Sequence, residues 1–210
     1  MAWRYQSYET LSLDVMQIFI IFDCCLRSQA SEVNKDEFLE KLKPIFTKEQ
    51  IEQKVRELGA LVSRDYNEED VILICNLKGA FIFLADLCRY ITSPLSIDFI
   101  ATSSYRGTES TGDVRIIKDL KMDVRGKNIL LVEDIIDTGY TVDYIIKYLR
   151  LHEPKSIKIC TLLDKKEMRK VHINIDYIGF VVPNKFLIGY GLDYNERYRE
   201  VDYIAELETE

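Results

Sequence analysis

The sequence predicts an α/β protein with a central, mostly parallel, twisted sheet flanked by helices. Two observations support this fold class. From about residue 48 onward, short apolar runs alternate with segments that have helical periodicity. The apolar runs contain no polar alternation, which is typical of strands covered on both faces. The length of 210 residues suits one domain with an appendage.

The first part of the chain, residues 1–35, differs from the rest. Its apolar run at 15–22 is interrupted by Gln17 and is well short of the roughly 20 residues needed to cross a bilayer. Glu9 and Asp14 precede the run, whereas a signal peptide has a basic start. We therefore predict an N-terminal extension of unknown role that packs on the body of the protein or on a partner.

Two capping-box patterns predict helix starts, one at 34–37 and the other at 47–50. After the second pattern, apolar residues recur at helical spacing and predict a helix over about 48–63. The residues expected on its buried face are Ile51, Val55, Leu58 and either Leu61 or Val62.

Strands and helices are then predicted in alternation. The predicted strands are 71–75, 97–100, 129–132, 157–163 and 177–182, and the predicted helices are 79–90 and 141–151. In the helix at 79–90, the residues expected to face inward are Phe81, Leu84, Ala85 and Cys88. A polar segment at 103–112 with two glycines interrupts the alternation, and it is either an active-site lid or a plain hairpin loop.

Composition limits the chemistry. The chain has 28 Lys and Arg against 35 Asp and Glu, a formal net charge of −7, which argues against a general binder of nucleic-acid phosphates but excludes no local basic pocket. It has 2 His, which excludes a His-rich metal site and disfavours a Ser-His-Asp machine. Proton transfers in an enzyme of this composition are expected to use carboxylates or Lys. The cysteines number 5 and lack Cys-x-x-Cys spacing, which indicates reduced thiols in a cytoplasmic protein.

The most informative segment is 129–141, in which a buried strand leads into Glu133, Asp134 and Asp137 and then into Thr-Gly-x-Thr at the start of a helix. In open parallel sheets, ligands bind beyond the carboxyl ends of strands. Gly139 permits a tight turn, and the helix N-terminus favours an anion such as phosphate. Carboxylates beside a phosphate need sugar hydroxyls, a bridging divalent cation or a transferable proton. The pattern therefore predicts a site for a phosphorylated sugar, while the glycine motifs of P-loop and dinucleotide-binding proteins are absent.

This segment resembles the phosphoribosyl-pyrophosphate signature of the type I phosphoribosyltransferase family, and its Glu-Asp-Ile-Ile-Asp-Thr-Gly form resembles the hypoxanthine-guanine members. Further matching blocks occur in the family's order over about residues 40–205. They are Leu77-Lys78-Gly79, Ser104-Tyr105, Leu163-Asp164-Lys165, the run at 183–196 and Tyr198-Arg199. The resemblance implies the type I phosphoribosyltransferase fold for 36–210, with a small hood built from about 36–48 and 183–210.

The resemblance also implies a reaction and its small-molecule partners. Phosphoribosyl pyrophosphate would react with hypoxanthine or guanine to give a nucleoside monophosphate and pyrophosphate, with Mg²⁺ as cofactor. No nucleic-acid or membrane partner is expected, and the family forms homodimers or homotetramers.

Site roles follow from the resemblance, residue by residue. Asp137 would be the catalytic acid/base at purine N7, Glu133, Asp134, Thr138, Gly139, Tyr140 and Thr141 would bind the ribose and its phosphate, and Leu77, Lys78, Gly79 and Arg199 would bind pyrophosphate. Ile135, Lys165, Phe186 and Leu187 would bind the base, Ser104 and Tyr105 would form a lid, and Glu133, Asp134 and Asp193 would hold the metal.

The sequence departs from the family's pattern at Asn184, where an acid is expected before Lys185 and Phe186. This position is next to the base-reading segment, so the preference among hypoxanthine, guanine and xanthine stays open. Two alternative functions also stay open. One is a phosphoribosyltransferase for another base, and the other is a regulatory sensor of the sugar phosphate that binds nucleic acid.

Overall fold

The computed structural model describes residues 42–104 and 114–207, and in these ranges the predicted strands and helices follow one another in the predicted order. The predicted extension at 1–35 lies outside the described residues. The elements in chain order are β1 (Lys43–Phe46), α1 (Lys48–Tyr66), β2 (Val71–Leu77), α2 (Phe81–Tyr90), β3 (Leu95–Ser104), β4 (Val114–Lys118), β5 (Asn128–Ile136), α3 (Tyr140–Arg150), β6 (Ser156–Asp164), a 3₁₀ turn (Lys166–Met168), β7 (Tyr177–Val181), β8 (Leu187–Ile188) and β9 (Ile204–Glu206).

The main sheet has six strands in the order β4-β3-β2-β5-β6-β7. Neighbouring strands from β3 to β7 run parallel, and β4 pairs with β3 in the antiparallel direction. The predicted mostly parallel sheet is therefore confirmed. β5 lies in the interior of the sheet between β2 and β6, which places the ends of these three strands side by side.

The apolar runs are continuous because both faces of the sheet are covered. In β5, Leu130 and Val132 belong to the core on one face, whereas Ile129 and Leu131 belong to the core on the other face. All four side chains are fully buried. Each such burial contributes about 2 kcal/mol relative to an exposed side chain, so the two-sided core stabilises the strand that carries the candidate site.

The helices pack on both faces of the sheet. α1 and α2 contribute to the core with Leu130, and α3 contributes to the core with Leu131. The predicted capping box at the start of α1 is confirmed, because Thr47 Oγ1 accepts a hydrogen bond from Gln50 N and Thr47 N donates to Gln50 Oε1. At the last inward position of the predicted helix, Val62 is buried and Leu61 is exposed.

The predicted inward face of α2 is wrong in part. Leu84 is buried as expected, and Cys88 is partly buried against the core. Phe81 is 42% exposed and Ala85 is also exposed, and the helix buries Phe83 and Leu87 instead. α2 is apolar around most of its circumference, so helical spacing fits two adjacent stripes equally well. Packing against α1 and the sheet selects the stripe that is buried.

Several strands extend further than the apolar runs alone predict, and the extensions of β5 and β3 bear on the site. β5 continues through Ile136, so Glu133 and Asp134 lie inside the strand rather than in a loop after it. β3 continues to Ser104. Both extensions are stabilised by backbone pairing, as between Glu133 and Thr161 in β6. Backbone hydrogen bonding accepts polar residues, so hydrophobicity by itself does not mark the end of a strand.

A second sheet joins sequence-distant segments in the order β1-β9-β8, with antiparallel pairing throughout. β1 lies in the predicted N-terminal hood segment, 36–48, and β8 and β9 lie in the predicted C-terminal hood segment, 183–210. The bounds of the hood stay a prediction. None of the helices in the described ranges is long and apolar enough to span a membrane.

Candidate active site

A cavity of about 180 Å³ lies at the carboxyl end of β5, at the start of α3. A site at this edge agrees with the rule that parallel sheets bind ligands beyond their strand ends. The cavity is lined by predicted site residues together with three further side chains. The lining residues are Asn76, Glu133, Asp134, Ile135, Ile136, Asp137, Thr138, Gly139, Thr141 and Val142.

Glu133 is an almost fully buried carboxylate on the cavity wall, with 4% of its surface exposed. Asn76 Nδ2, on the neighbouring strand β2, donates to Glu133 Oε1 at 3.1 Å and lies 3.4 Å from Oε2. Burial and the adjacent charge of Asp134 raise the pKa of Glu133 well above its usual value, and the Asn76 hydrogen bond opposes that shift. The carboxylate is thus held in a pocket that disfavours its charge.

Asp134 is half-buried, and burial raises its pKa to about 6. Hydrogen bonds from the backbone amides of Ile135 and Asp134 itself lower this pKa, as does the charge of Arg199, while the charge of Asp193 raises it. The electrostatic coupling to Asp193 and Arg199 indicates that the C-terminal segment approaches the end of β5.

Gly79 is required by the position of Asp134. A Cβ atom at residue 79 would lie 1.8 Å from Asp134 Oδ2, far inside van der Waals contact. The glycine of the predicted pyrophosphate segment therefore lets the chain pass against the carboxylate. The peptide bond between Leu77 and Lys78, in the same segment, is cis.

The turn between β5 and α3 has the geometry of an anion cradle. Gly139 caps the helix at φ +91°, a left-handed conformation that favours glycine, and α3 begins at Tyr140. The first amides of a helix have no partner within the helix, and the positive end of the helix dipole lies at the same end. In α3 this end borders the cavity. Thr138 and Thr141 are half-buried on the cavity wall, whereas Tyr140 is 42% exposed.

Asp137 and Lys165 meet across the ends of β5 and β6. Asp137 Oδ2 lies 3.7 Å from Lys165 Nζ, and the Lys165 side chain is 11% exposed. The other carboxylate oxygen, Asp137 Oδ1, is buried and has no hydrogen-bond partner among the described residues. Lys165 is fixed by its backbone, because its amide donates to the carbonyl of Ile136 at 3.0 Å. An ion pair with one free acceptor is suited to receiving a proton from a ligand.

The predicted pyrophosphate cations share a single carboxylate. Glu196 Oε2 lies 2.7 Å from Lys78 Nζ and 3.4 Å from Arg199 Nη2. Arg199 also pairs with Asp193 Oδ1 at 2.9 Å, and Asp193 Oδ2 accepts a hydrogen bond from the amide of Glu196. The contacts with Lys78 and Arg199 lower the pKa of Glu196. The structure therefore brings Lys78, Asp193 and Arg199 together although they are far apart in the sequence.

The predicted base-binding residues differ in exposure. Phe186 is 46% exposed, and its ring makes an edge contact with Tyr194 at a centroid distance of 5.9 Å. Leu187 is buried in β8, and Asn184, three positions earlier in the chain, is exposed. An aromatic face left open to solvent beside a buried backbone is a surface on which a flat ring can stack.

The predicted lid is described only at its first residue. Ser104 is the last residue of β3, and Tyr105 lies outside the described residues. The lid stays a prediction.

Sequence reasoning missed Asn76, Thr102 and Glu196. Asn76 is a polar residue that directly follows the apolar run of β2 and precedes Leu77, and this placement was the available signal. Thr102 Oγ1 donates to Asn76 Oδ1 at 3.3 Å, a contact between adjacent strands. Glu196 had no signal beyond its position near Asp193, since its contact with Lys78 joins residues 118 positions apart.

The predicted ligands of Mg²⁺ are the carboxylates of Glu133, Asp134 and Asp193. In the described ranges there is no group of three or more His, Cys, Asp or Glu residues poised to hold a metal ion. Mg²⁺ commonly needs only one or two protein carboxylates, with waters and substrate phosphates completing its shell. Burial is the main cause of the raised pKa of Asp134, and the charge of Asp193 adds to it. The donor set therefore fits Mg²⁺ that arrives with a phosphorylated ligand.

Comparisons with known proteins agree with this geometry. Residues 42–195 match the model of the phosphoribosyl transferase domain family. The hypoxanthine phosphoribosyltransferase of Buchnera aphidicola subsp. Schizaphis graminum is 50% identical over 169 residues, which cover 79% of this chain and 96% of the relative. The hypoxanthine-guanine phosphoribosyltransferase of Bacillus subtilis is 48% identical over 166 residues, which cover 79% and 92%.

Solved structures show the same likeness. A hypoxanthine-guanine phosphoribosyltransferase from Bacillus anthracis superposes with a TM-score of 0.77 at 44% identity, covering 79% of this chain and 98% of that one. A hypoxanthine phosphoribosyltransferase from Staphylococcus aureus gives a TM-score of 0.79 at 42% identity, covering 84% and 97%.

Proposed function

The chain belongs to the phosphoribosyl transferase domain family, and from this premise we propose that it is a purine salvage enzyme. It transfers the 5-phosphoribosyl group from phosphoribosyl pyrophosphate to hypoxanthine or guanine. The products are IMP or GMP and pyrophosphate. The relatives named hypoxanthine or hypoxanthine-guanine phosphoribosyltransferase support this assignment of the reaction.

A single observation carries the proposal most strongly. Two adjacent carboxylates, Glu133 and Asp134, line the same 180 Å³ cavity as the turn that opens α3. A ligand that suits both parts has hydroxyls at one end and a phosphate at the other, and ribose 5-phosphate has this chemistry. In this assignment the amides and hydroxyls of 138–141 bind the 5′-phosphate, and the carboxylates bind the ribose hydroxyls.

Asp137 is proposed as the acid/base at purine N7. Its unpartnered oxygen Oδ1 is available to accept the proton from N7, and Lys165 Nζ lies 3.7 Å from the other oxygen, Oδ2. Lys165 Nζ is also proposed to donate to the exocyclic oxygen of a 6-oxopurine, which would favour hypoxanthine and guanine over adenine. Phe186 stacks on the base, the backbone of Leu187 reads its edge, and Ile135 packs against it from the end of β5.

Pyrophosphate is assigned to the segment 77–79 and to Arg199. Lys78 and Arg199 place two cations against one carboxylate oxygen of Glu196, so both already converge on one anionic group. The planar guanidinium of Arg199 suits bidentate binding of phosphate oxygens. Closure of the lid at Ser104 and Tyr105 would exclude water, which competes with the purine for C1 of the ribose.

We assign Mg²⁺ binding to Asp134 and Asp193, with Glu133 acting directly or through the ribose hydroxyls. Bound there with the substrate, Mg²⁺ would supply positive charge against the leaving pyrophosphate. The protein's own contribution is the space that Gly79 leaves for the Asp134 carboxylate and the ion pair that Arg199 forms with Asp193.

Nucleotide synthesis by the purified full chain tests the function. The chain is incubated with Mg²⁺, phosphoribosyl pyrophosphate and one base at a time, from a panel of hypoxanthine, guanine, xanthine and adenine. We expect IMP and GMP to form and AMP not to form. Failure to make a nucleotide from hypoxanthine or guanine would overturn the proposal, and a preference for adenine would favour the alternative of another base. The xanthine result gives the base preference that the sequence leaves open at Asn184.

We also propose a homodimer or homotetramer in the cytoplasm, without a nucleic-acid or membrane partner. The buried thiols of Cys75 and Cys160 suit a reducing compartment. Sedimentation of the purified protein gives the oligomeric state. Salt-dependent binding of DNA or RNA at physiological ionic strength would instead support the regulatory alternative.

A further inference from the structure

A relay of polar side chains crosses three adjacent strands beneath the cavity. Thr102 on β3 donates its hydroxyl hydrogen to Asn76 Oδ1 at 3.3 Å, and Asn76 on β2 donates from Nδ2 to Glu133 on β5 at 3.1 Å. Each of the three follows by two positions a fully buried residue of one core face; those residues are Ile100, Ile74 and Leu131. The relay is thus a polar layer that ends the apolar core where the cavity begins.

The polarity of the relay fixes how the amide of Asn76 is oriented. In the structure Asn76 presents its NH₂ group to Glu133, the orientation in which the oxygens of Glu133 accept. The amide oxygen then faces Thr102, whose hydroxyl can donate to it. Without that hydroxyl, both orientations of the amide would be accessible, and one of them would place two acceptor oxygens against each other.

The geometry at Glu133 gives the relay a function beyond satisfying a buried group. Asn76 Nδ2 lies within 3.4 Å of both carboxylate oxygens, so it restricts where the Glu133 carboxylate can lie. Asn76 and Glu133 both line the cavity, whereas Thr102, one strand further along, is not among the lining residues of the described part. Glu133 is therefore held from the side, by the neighbouring strand β2, while its carboxylate still borders the cavity in which a ligand would bind.

We propose that Asn76, anchored by Thr102, is a positioning residue that holds the Glu133 carboxylate in the orientation that receives the ribose hydroxyls of the phosphoribosyl group. This inference rests on the proposed function, and it adds two residues that the resemblance to the family did not mark. A positioning residue of this kind acts on ribose binding in the ground state and the transition state alike. Its loss raises KM for phosphoribosyl pyrophosphate and leaves kcat nearly unchanged.

The opposite end of the parallel strands provides a matched control. Ser156 Oγ donates to Asn128 Oδ1 at 2.8 Å, and Asn128 Nδ2 donates to Glu69 Oε2 at 2.8 Å. This relay has the same chemistry, but it lies at the amino end of β5, away from the cavity. Asn128→Leu therefore measures what the loss of such a relay does to stability alone.

The test compares Asn76→Leu, Thr102→Val, Thr102→Ser and Asn128→Leu with the unaltered chain. We expect Asn76→Leu to raise KM for phosphoribosyl pyrophosphate about tenfold, with kcat and KM for hypoxanthine within about twofold. Thr102→Val is expected to produce a smaller rise in the same direction, and to add nothing when combined with Asn76→Leu. Thr102→Ser keeps the hydroxyl and should behave as the unaltered chain, as should Asn128→Leu in its kinetics.

Binding measured without metal separates this inference from the proposed function. Calorimetry with IMP in the absence of Mg²⁺ should show about tenfold weaker binding to Asn76→Leu, while pyrophosphate, which lacks a ribose, inhibits both proteins equally. An unchanged KM and IMP affinity in Asn76→Leu would overturn the inference while leaving the function intact. So would a loss in kcat alone, or parallel losses in Asn128→Leu. If Asn76→Leu does not fold, Thr102→Val decides by the same criteria. An unaltered chain that neither forms nor binds IMP would overturn both.

Discussion

At the level of single residues, the site concentrates negative charge that its surroundings oppose. Glu133 and Asp134 are adjacent, and burial raises the pKa of both. Ionising them in a confined pocket costs free energy that hydroxyl donors or a divalent cation can offset. The site is therefore arranged for a ligand that supplies such groups, and this makes the carboxylates candidate binding residues rather than solvated surface acids.

The free oxygen of Asp137 leads to the first prediction. Asp137→Asn should lower kcat about a hundredfold or more, because an amide cannot accept the proton at purine N7. KM for phosphoribosyl pyrophosphate should change little. Steady-state kinetics with hypoxanthine measure both effects.

A nearby exposed pair provides the control for Asp137. Asp143 lies on α3 and pairs with Lys147 at 2.7 Å, outside the cavity lining. Asp143→Asn should keep normal kinetics. Full activity in Asp137→Asn would contradict the proposed proton role.

Glu196 provides a second prediction at the same scale. Glu196 Oε2 lies 2.7 Å from Lys78 Nζ and 3.4 Å from Arg199 Nη2. These are the two cations assigned to pyrophosphate. Substrate must displace it, so Glu196→Gln should lower KM for phosphoribosyl pyrophosphate about two- to fourfold, a modest change because exposed ion pairs are weak. Initial rates over a range of substrate concentrations measure this.

The matched control is Glu153→Gln, which removes an exposed carboxylate paired with Arg125 at 3.1 Å. It should leave KM unchanged. A rise in KM for Glu196→Gln would mean that Glu196 aids substrate binding rather than competing with it.

At the level of elements, a buried carboxylate on β3 fixes the chain that leads into β5. Asp98 Oδ2 accepts hydrogen bonds from the amides of Lys121 and Met122 at 2.7 and 2.8 Å. Burial alone would raise the pKa of Asp98, but the amides of Met122, Phe99 and Lys121 hold it below its usual value. The ionised carboxylate thus stabilises the connection between β4 and β5.

This arrangement predicts a pH-dependent contribution to stability. Because the folded pKa of Asp98 is lowered, its contribution is present above the unfolded value near 4 and is lost as pH falls through the folded value. Asp98→Asn should cost about 1–2 kcal/mol in the free energy of unfolding at pH 7. The difference from the unaltered chain should shrink near pH 3.

Urea unfolding at several pH values measures the Asp98 contribution. Asp70→Asn, which alters an exposed carboxylate, is the control and should change stability little. A difference between Asp98→Asn and the unaltered chain that stays constant from pH 7 to pH 3 would show that the charge of Asp98 does not contribute.

α2 shows how far local pattern determines an element. Its existence and approximate length are predictable, because ten consecutive residues from Phe81 to Tyr90 form a helix whose sequence is largely apolar. Its orientation is not predictable, since Phe81 and Phe83 are equally apolar and only one of them is buried. The choice depends on the shape of the neighbouring surface, which is formed by residues distant in the sequence.

At the level of the whole molecule, binding of the substrate should stabilise the fold. A ligand at a hundred times its dissociation constant adds about 2.7 kcal/mol, which raises the unfolding temperature of a chain of this size by about 5–10 °C. Phosphoribosyl pyrophosphate with Mg²⁺ should produce a shift of this order in a thermal melt.

Metal removal is the control for the thermal shift. With the same substrate and a chelator, the shift should fall, because the carboxylates assigned to the metal then repel each other and the substrate. An equal shift with and without the chelator would contradict the proposed metal role. If an active preparation showed no shift, the prediction that bound substrate stabilises the fold would be contradicted.

The sequence by itself determined the α/β class, the order of most strands and helices, and the segment 129–141 as the candidate site. These features are local. Hydrophobic periodicity is set by neighbouring residues, and Gly139 permits the left-handed conformation of the turn whatever surrounds it. The tertiary structure alone decided the strand order, the buried face of α2, and the contacts of Asn76 with Glu133 and of Lys78 with Glu196. Those contacts join residues 57 and 118 positions apart, and no local pattern encodes them, because they depend on which strand ends and loops the packed core brings together.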